Sequence, residues 1–267
     1  MKINFIICEG ICDKAVLEYC LKFFYKYEYV NESDLYEYMK VNLNKKYNHN
    51  DIEDRYIYSA FIKDENIVII MATTGKTNLF GAVGYVYKLI SEDLNDNDFK
   101  SIIMLTDYDD DKSIKSIQTF CEKLKIKYTR NIKVNQVIET NIKNNNCDDI
   151  NQNIKVLYEL VPKDENGAIE TFFANILKKN RFNDNEIITA IDNLRKVTKE
   201  SNKVNLLKKN KFYIKSEFTI MLALMYPERN YFGKDILKEM DDDERENLKI
   251  FFDNIMVTCG AKIFNKY

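Results

Sequence analysis

The chain has 267 residues, 45% of them hydrophobic, which is enough apolar material to bury a core in one large domain or two small ones. Its 40 basic and 42 acidic side chains leave a formal net charge of -2, so no global field marks it as a polyanion binder and any such surface must be local. Six cysteines without a CxxC pair and a single histidine, His49, supply too few ligands for a thiolate or imidazole zinc site. His49 sits in the polar stretch KKYNHNDIED, which also leaves Ser-His-Asp and Cys-His catalysis poorly supplied. No apolar run approaches the ~20 residues a bilayer requires, and MKINFIICEG is too short and too soon acidic for a secretory signal. A cytoplasmic, reduced protein is expected, with Cys8, Cys12 and Cys20 as small core residues.

In chain order, residues 3–8 read as a buried strand broken at Gly10, and CDKAVLEYCLKFFYKY places Val16, Leu17, Cys20, Leu21 and Phe24 on one helical face. Residues 28–65 lack sustained periodicity and read as an insertion, with short helices expected near 33–42 and 51–62. NIVIIMATTGK predicts a second buried strand, and NLFGAVGYVYKLI a helix after it. KSIIMLTDYDDD predicts a third strand, with SIKSIQTFCEKLKI as its helix. Strands apolar on both faces that alternate with helices predict a parallel sheet covered on both sides. NIKVNQVIE and IKVLYELVP are further strand candidates around an Asn-rich loop, and from Gly167 onward the apolar spacing is mainly helical. This divides the chain into an α/β part over residues 1–165 and a helical part over 166–267.

Two of the strands end in acids. Glu9 and Gly10 close the first; Asp107 and Asp109 close the third, spaced so that in an extended segment both point the same way. In a parallel α/β sheet ligands bind beyond the carboxyl ends of the strands, where loops and helix N-termini converge. Asp13, four residues after Glu9, can add another oxygen. Crowded carboxylates raise one another's pKa unless a cation neutralises them, so the set points to one or two Mg²⁺ or Mn²⁺ ions. The plainer alternative is that these aspartates cap helices or face solvent, as Asp110 and Asp111 can also do. Gly10 and Gly75 each follow a buried strand and suit close backbone approach to a ligand. TTGKTN lacks the glycine a P-loop needs at position 70, which is Ile, so an ATP site is excluded there.

A strand followed by EG-x-x-D-K at a helix start, a middle strand followed by GK, and a strand ending in TDYDDD together resemble the TOPRIM domain, in that domain's order, over roughly residues 1–130. The resemblance implies a Rossmann-like parallel sheet flanked by helices. It also implies that Glu9, Asp107 and Asp109 bind divalent metal and support phosphodiester chemistry, with Asp13 as a further ligand of the kind OLD-type nucleases use. YELVPKDENGAIETFFANIL resembles a segment of OLD-like and stand-alone TOPRIM proteins, which implies that Glu170 is a second-metal ligand; a first-turn glutamate favoured by the helix dipole is the plainer reading. FYIKSEFTIMLALMYPE resembles the lysine-bearing segment of that branch, which makes Lys215, or alternatively Lys76, a candidate for transition-state charge stabilisation.

From Arg195 to Lys215 eight basic residues stand against one acid, Glu200, a local net of +7 (8 minus 1). Lys196, Lys199, Lys203, Lys208, Lys209 and Lys211, with Lys76, could track a phosphate backbone, although a solvated helix face is the competing explanation. The expected function is a Mg²⁺-dependent TOPRIM nuclease on DNA or RNA, and the resemblance implies a bacterial or phage-defence effector working with a separate ATPase. A primase-like nucleotidyl transferase and a catalytically inactive TOPRIM-fold binding subunit are the alternatives.

Overall fold

The computed structural model describes residues 1–39, 43, 56–73, 75–93, 97–108, 111–129, 131–143, 151–163, 167–173, 189, 193, 196, 237 and 240–261. Strand β1 (Lys2–Cys8) is buried from Ile3 to Cys8, as a central strand covered on both faces must be. Its neighbours are β4 (Asn66–Thr73) on one side and β5 (Asp98–Asp107) on the other, both parallel to it. Strand β7 (Asn151–Val161) extends the parallel group beyond β5. Among the described residues the sheet has seven strands, with β2 (Glu28–Val30), β3 (Tyr56–Lys63) and β6 (Val137–Lys143) at its margins, in the order β2-β3-β4-β1-β5-β7-β6. This is an α/β fold.

The expectation of a parallel sheet holds for the four central strands and fails at both margins. Strand β3 (Tyr56–Lys63) lies antiparallel to β4, β2 (Glu28–Val30) antiparallel to β3, and β6 (Val137–Lys143) antiparallel to β7. Strands β2 and β3, which fall within residues 28–65, therefore widen the sheet. Helix α2 (Glu32–Met39) falls where a short helix was expected, but the helix expected near 51–62 is replaced over its second half by β3. YIYSAFIK is built of aromatic and β-branched residues that suit a pleated surface, and a two-residue turn at Asp64 and Glu65 returns the chain directly onto β4.

Helix α1 (Ile11–Phe23) packs Val16, Leu17, Cys20 and Leu21 on one face of the sheet, where α6 (Asp242–Thr258) adds Leu248, Phe252, Ile255 and Met256. Helices α3 (Lys76–Asp93) and α5 (Ile117–Lys123) cover the other face, with α2 beside them. The helix expected after the third strand is split into α4 (Asp111–Lys115) and α5, with Ser116 between them. α6 and the helical turn at 169–173 agree with a helical C-terminal part; most of 174–236 lies outside the described residues.

The sheet is tied to α6 through a buried acid. Glu159 of β7 is 1% exposed, accepts a hydrogen bond from Asn254 Nδ2 at 2.8 Å, and has Lys163 Nζ 3.0 Å from its other oxygen. Burial outweighs both partners and raises the Glu159 pKa. A carboxyl group raised above its unfolded value binds more protons when folded, so its ionisation opposes folding as pH rises through the folded pKa. Glu159→Gln keeps the contact with Asn254 and removes the charge. Its thermal midpoint should exceed wild type at pH 7, and the difference should shrink as pH falls toward 4.5, the group's ordinary value. Thermal unfolding followed by circular dichroism across that range checks it.

Candidate metal centre

The chain leaves β1 toward β4, then crosses back over β1 through α3 to reach β5, so the direction of winding reverses between β1 and β5. Helix α1 consequently packs on one face and α3 on the other, which opens a crevice at the carboxyl ends of these two strands. Glu9 follows β1 directly, and Asp107 is the last residue of β5, 4% exposed. Asp107 belongs to the alternation of Ile103 and Leu105, which face α1. Thr106 Oγ1 lies 3.4 Å from Glu9 Oε2, which sets the Glu9 carboxylate beside the end of β5.

Asp13 and Glu170 complete the wall. Asp13 stands in the first turn of α1, where its Oδ2 accepts the Gly10 N–H at 2.9 Å and closes the helix start. The capping and site readings of Asp13 thus apply to one side chain. Glu170 is in the first turn of the helical segment that begins at Ile169. Glu9, Asp13, Asp107 and Glu170 line one cavity of about 340 Å³, with Gly10, Ile11, Cys12, Ile57, Ala72, Thr73 and Gly75. Those lining residues include no basic side chain. Burial, then the Asp107 and Glu170 carboxylates, with a smaller push from Glu9, raise the Asp13 pKa well above the carboxylate range, against the Gly10 hydrogen bond.

The donor set suits a hard, oxygen-binding cation: all its charged members among the described residues are carboxylates, and after burial their mutual repulsion is what raises the Asp13 pKa. Among the described residues no three His, Cys, Asp or Glu side chains form a ready metal-binding group. Asp109, the second acid of the expected pair, lies outside those residues, as do His49, Lys199, Lys203, Lys208, Lys209, Lys211 and Lys215. Lys196 is helical and exposed. Lys76 opens α3, and its Nζ donates to Ser113 Oγ at 3.0 Å; that hydroxyl donates to the Asp107 carbonyl at 3.2 Å. This contact places Lys76 against the turn carrying Asp107, and it is not among the cavity-lining residues.

The backbone around the cavity is fixed by contacts the sequence did not advertise. Thr73 Oγ1 lies 3.3 Å from the Cys8 carbonyl, and Gly75 N–H donates to the Glu9 carbonyl at 3.3 Å, so the end of β4 holds the end of β1. Gly75 has φ +110, which a residue with a Cβ adopts only under strain. Gly10, by contrast, is extended at φ -131 and its N–H is taken by Asp13, so conformational freedom does not explain it. Among the glycines of the described residues Gly167 is held closely: a Cβ there would fall 2.3 Å from Thr171 Oγ1 and 3.0 Å from Thr171 Cβ. Gly167 N–H donates to the Tyr108 carbonyl at 2.7 Å, and Thr171 Oγ1 accepts from Ala168 N–H at 3.1 Å. These bonds dock the Glu170 segment on the residue after Asp107.

Cys8 and Cys20 are buried core thiols as expected, and burial raises both pKa values. Cys12 departs from that expectation, because it is half-buried and lines the cavity. Ile57 and Thr73 were also missed as lining residues: Ile57 lay in a segment read as insertion, and the TTG of residues 73–75 drew attention only to its glycine.

A family model described as "Protein of unknown function (DUF3226)" matches residues 3–256, which takes in every element named above except Lys2 of β1 and the last two residues of α6. The chain belongs to DUF3226. No curated protein matches this DUF3226 chain. It is similar to the structure described as "Crystal structure of hypothetical protein PH0156 from Pyrococcus horikoshii OT3", at 13% identity and a TM-score of 0.49, with 97% of this chain and 98% of that one covered.

Gly167→Ala should cost about 1–3 kcal/mol of stability, because the added methyl overpacks a contact made by a side chain already engaged as a cap. Urea unfolding measures that cost. A larger fractional loss in Mg²⁺ affinity than in Gly75→Ala would locate the damage at the Glu170 side of the cavity.

Proposed function

We propose that this chain is a Mg²⁺- or Mn²⁺-dependent nuclease that hydrolyses phosphodiester bonds in DNA or RNA. The observation that carries the reading is that acids from positions 9, 13, 107 and 170, dispersed along the chain, line one cavity at the winding reversal. Glu9, Asp13, Asp107 and Glu170, with Asp109 next along the chain, would hold one or two ions. Such an ion supplies Lewis-acid polarisation of the phosphate and activation of water.

The chain's own residues supply position. Thr106 orients Glu9, the Gly10 N–H holds Asp13, and the Tyr108–Gly167 contact sets Glu170 relative to Asp107. Cations held by these carboxylates would also lower the repulsion met by a scissile phosphate that approaches the cavity. The Lys196–Lys215 run is the proposed backbone-tracking surface, and Lys215 the proposed transition-state cation. The resemblance to OLD-like TOPRIM proteins supports the further proposal of a defence effector partnered by a separate ATPase.

A second reading, a TOPRIM-fold binding subunit without catalysis, draws on the role of Asp13 as a helix cap, which would account for that residue without a metal. A digestion panel of single- and double-stranded DNA, tRNA and ribosomal RNA with and without Mg²⁺ separates the two. Wild type should shorten at least one polymer, and Glu9→Gln and Asp107→Asn should each lower the rate by more than about 100-fold. Unchanged cleavage in both variants would remove the catalytic assignment, and extension in the presence of nucleotides without shortening would favour a nucleotidyl transferase.

A further inference from the structure

The cavity has two unlike sides. Along the sheet edge Asp107 of β5 and the docked Glu170 segment lie on one side of β1; Ile57 of β3 and Ala72 of β4 lie on the other. Ile11, the first residue of α1, also lines the cavity. Ile11 is 62% exposed and Ile57 47% exposed. Single exposed isoleucines need no explanation, but two that share a small cavity with four carboxylates do.

A hydrophobic wall does not help to bind inorganic phosphate or a small phosphate ester beside a cation site. It does help to bind a ligand whose anionic group is joined to a flat, weakly hydrated body, and a nucleotide is such a ligand. At about 340 Å³ the cavity is near the lower bound for ligand pockets, room for one nucleotide unit rather than a base pair.

We propose that Ile11 and Ile57 form a shelf for the base of the nucleotide whose phosphate meets the carboxylates, so that the substrate is a nucleic-acid strand with an unstacked nucleotide at the cleavage point. This deepens the nuclease reading and rests on it for the phosphate's location. Contact with the face of a base is sequence-tolerant, because every base presents one. The shelf therefore selects for single-stranded or distorted nucleic acid and gives little preference among bases.

The test is calorimetric titration of the full chain, in Mg²⁺, with deoxyadenosine 5′-monophosphate and with 2-deoxyribose 5-phosphate. Wild type should bind the nucleotide roughly 5–20-fold more tightly, and Ile11→Ser/Ile57→Ser should lose most of that preference while binding the sugar phosphate as before. Ile57→Val should retain it, and a wild-type-like circular dichroism spectrum of the serine variant shows that folding is intact. Equal affinity of wild type for both probes overturns the shelf. So does a preference that survives in the serine variant, or a variant whose only change is oligomeric state, which would make the isoleucines a contact between copies. Cleavage of polymer together with equal affinity for the two probes leaves the nuclease reading standing and removes the shelf; tighter binding of the nucleotide with no polymer cleaved keeps the shelf and removes the nuclease reading.

Discussion

Like charges brought to one cavity repel, and the chain must hold its acids together against that repulsion. The reversal of winding between β1 and β5 does this. Two adjacent strands buried on both faces cannot shift relative to each other without breaking the parallel ladder that pairs Cys8 with Leu105, so Glu9 and Asp107 stay neighbours whatever their charges prefer. The raised pKa of Asp13 records the strain in electrostatic form. Every other support of the site, from the Thr106 contact to the Gly167 close packing, trims the geometry that this strand pairing imposes.

The opposite end of the sheet shows what polar residues look like when the fold satisfies them internally. Asn4, 1% exposed, donates to Asn66 Oδ1 at 2.7 Å and accepts from Ser101 Oγ at 2.8 Å, and Asn66 reaches the Cys259 carbonyl at 2.9 Å. This network joins β1, β4 and β5 to the end of α6. A larger cavity of about 780 Å³ borders it, lined by Lys2, Lys63, Lys100 and Lys155 as well as Asp64, Glu65 and Glu139, and the buried amides beside it already have partners. The two ends of the same strands differ in charge: one cavity is lined by lysines and acids together, whereas the charged residues named for the other are acids.

The elements legible in the sequence were those with one dominant signal. β1, β4 and β5 are continuous apolar runs, and α1 and α3 carry helical spacing, so both lay where the pattern put them. β3 was misread because YIYSAFIK belongs to a strand with differently exposed faces near the sheet margin, flanked by polar residues that weaken any periodic signal. The split of α4 from α5 at Ser116 was likewise hidden, since apolar spacing continues across the break. For the site, Glu9, Asp13 and Asp107 were readable as acids at strand and helix ends. Glu170 was reached through a family resemblance, and Ile57 was not reached at all.

By itself the sequence determined which segments are strands buried on both faces, which helices cover them, and that their ends carry acids in place of a histidine or thiolate chemistry. Those are local properties, set by side-chain polarity at spacings of two and three or four residues. Tertiary structure alone decided that β5 inserts beside β1 on the side away from β4, that β3 and β6 run antiparallel at the margins, and that Gly167 seats Glu170 next to Tyr108. Strand order depends on how two cores share one sheet, one beneath α1 and α6 and the other beneath α3 and α5. That balance is struck between residues a hundred positions apart, where no spacing in the chain can express it.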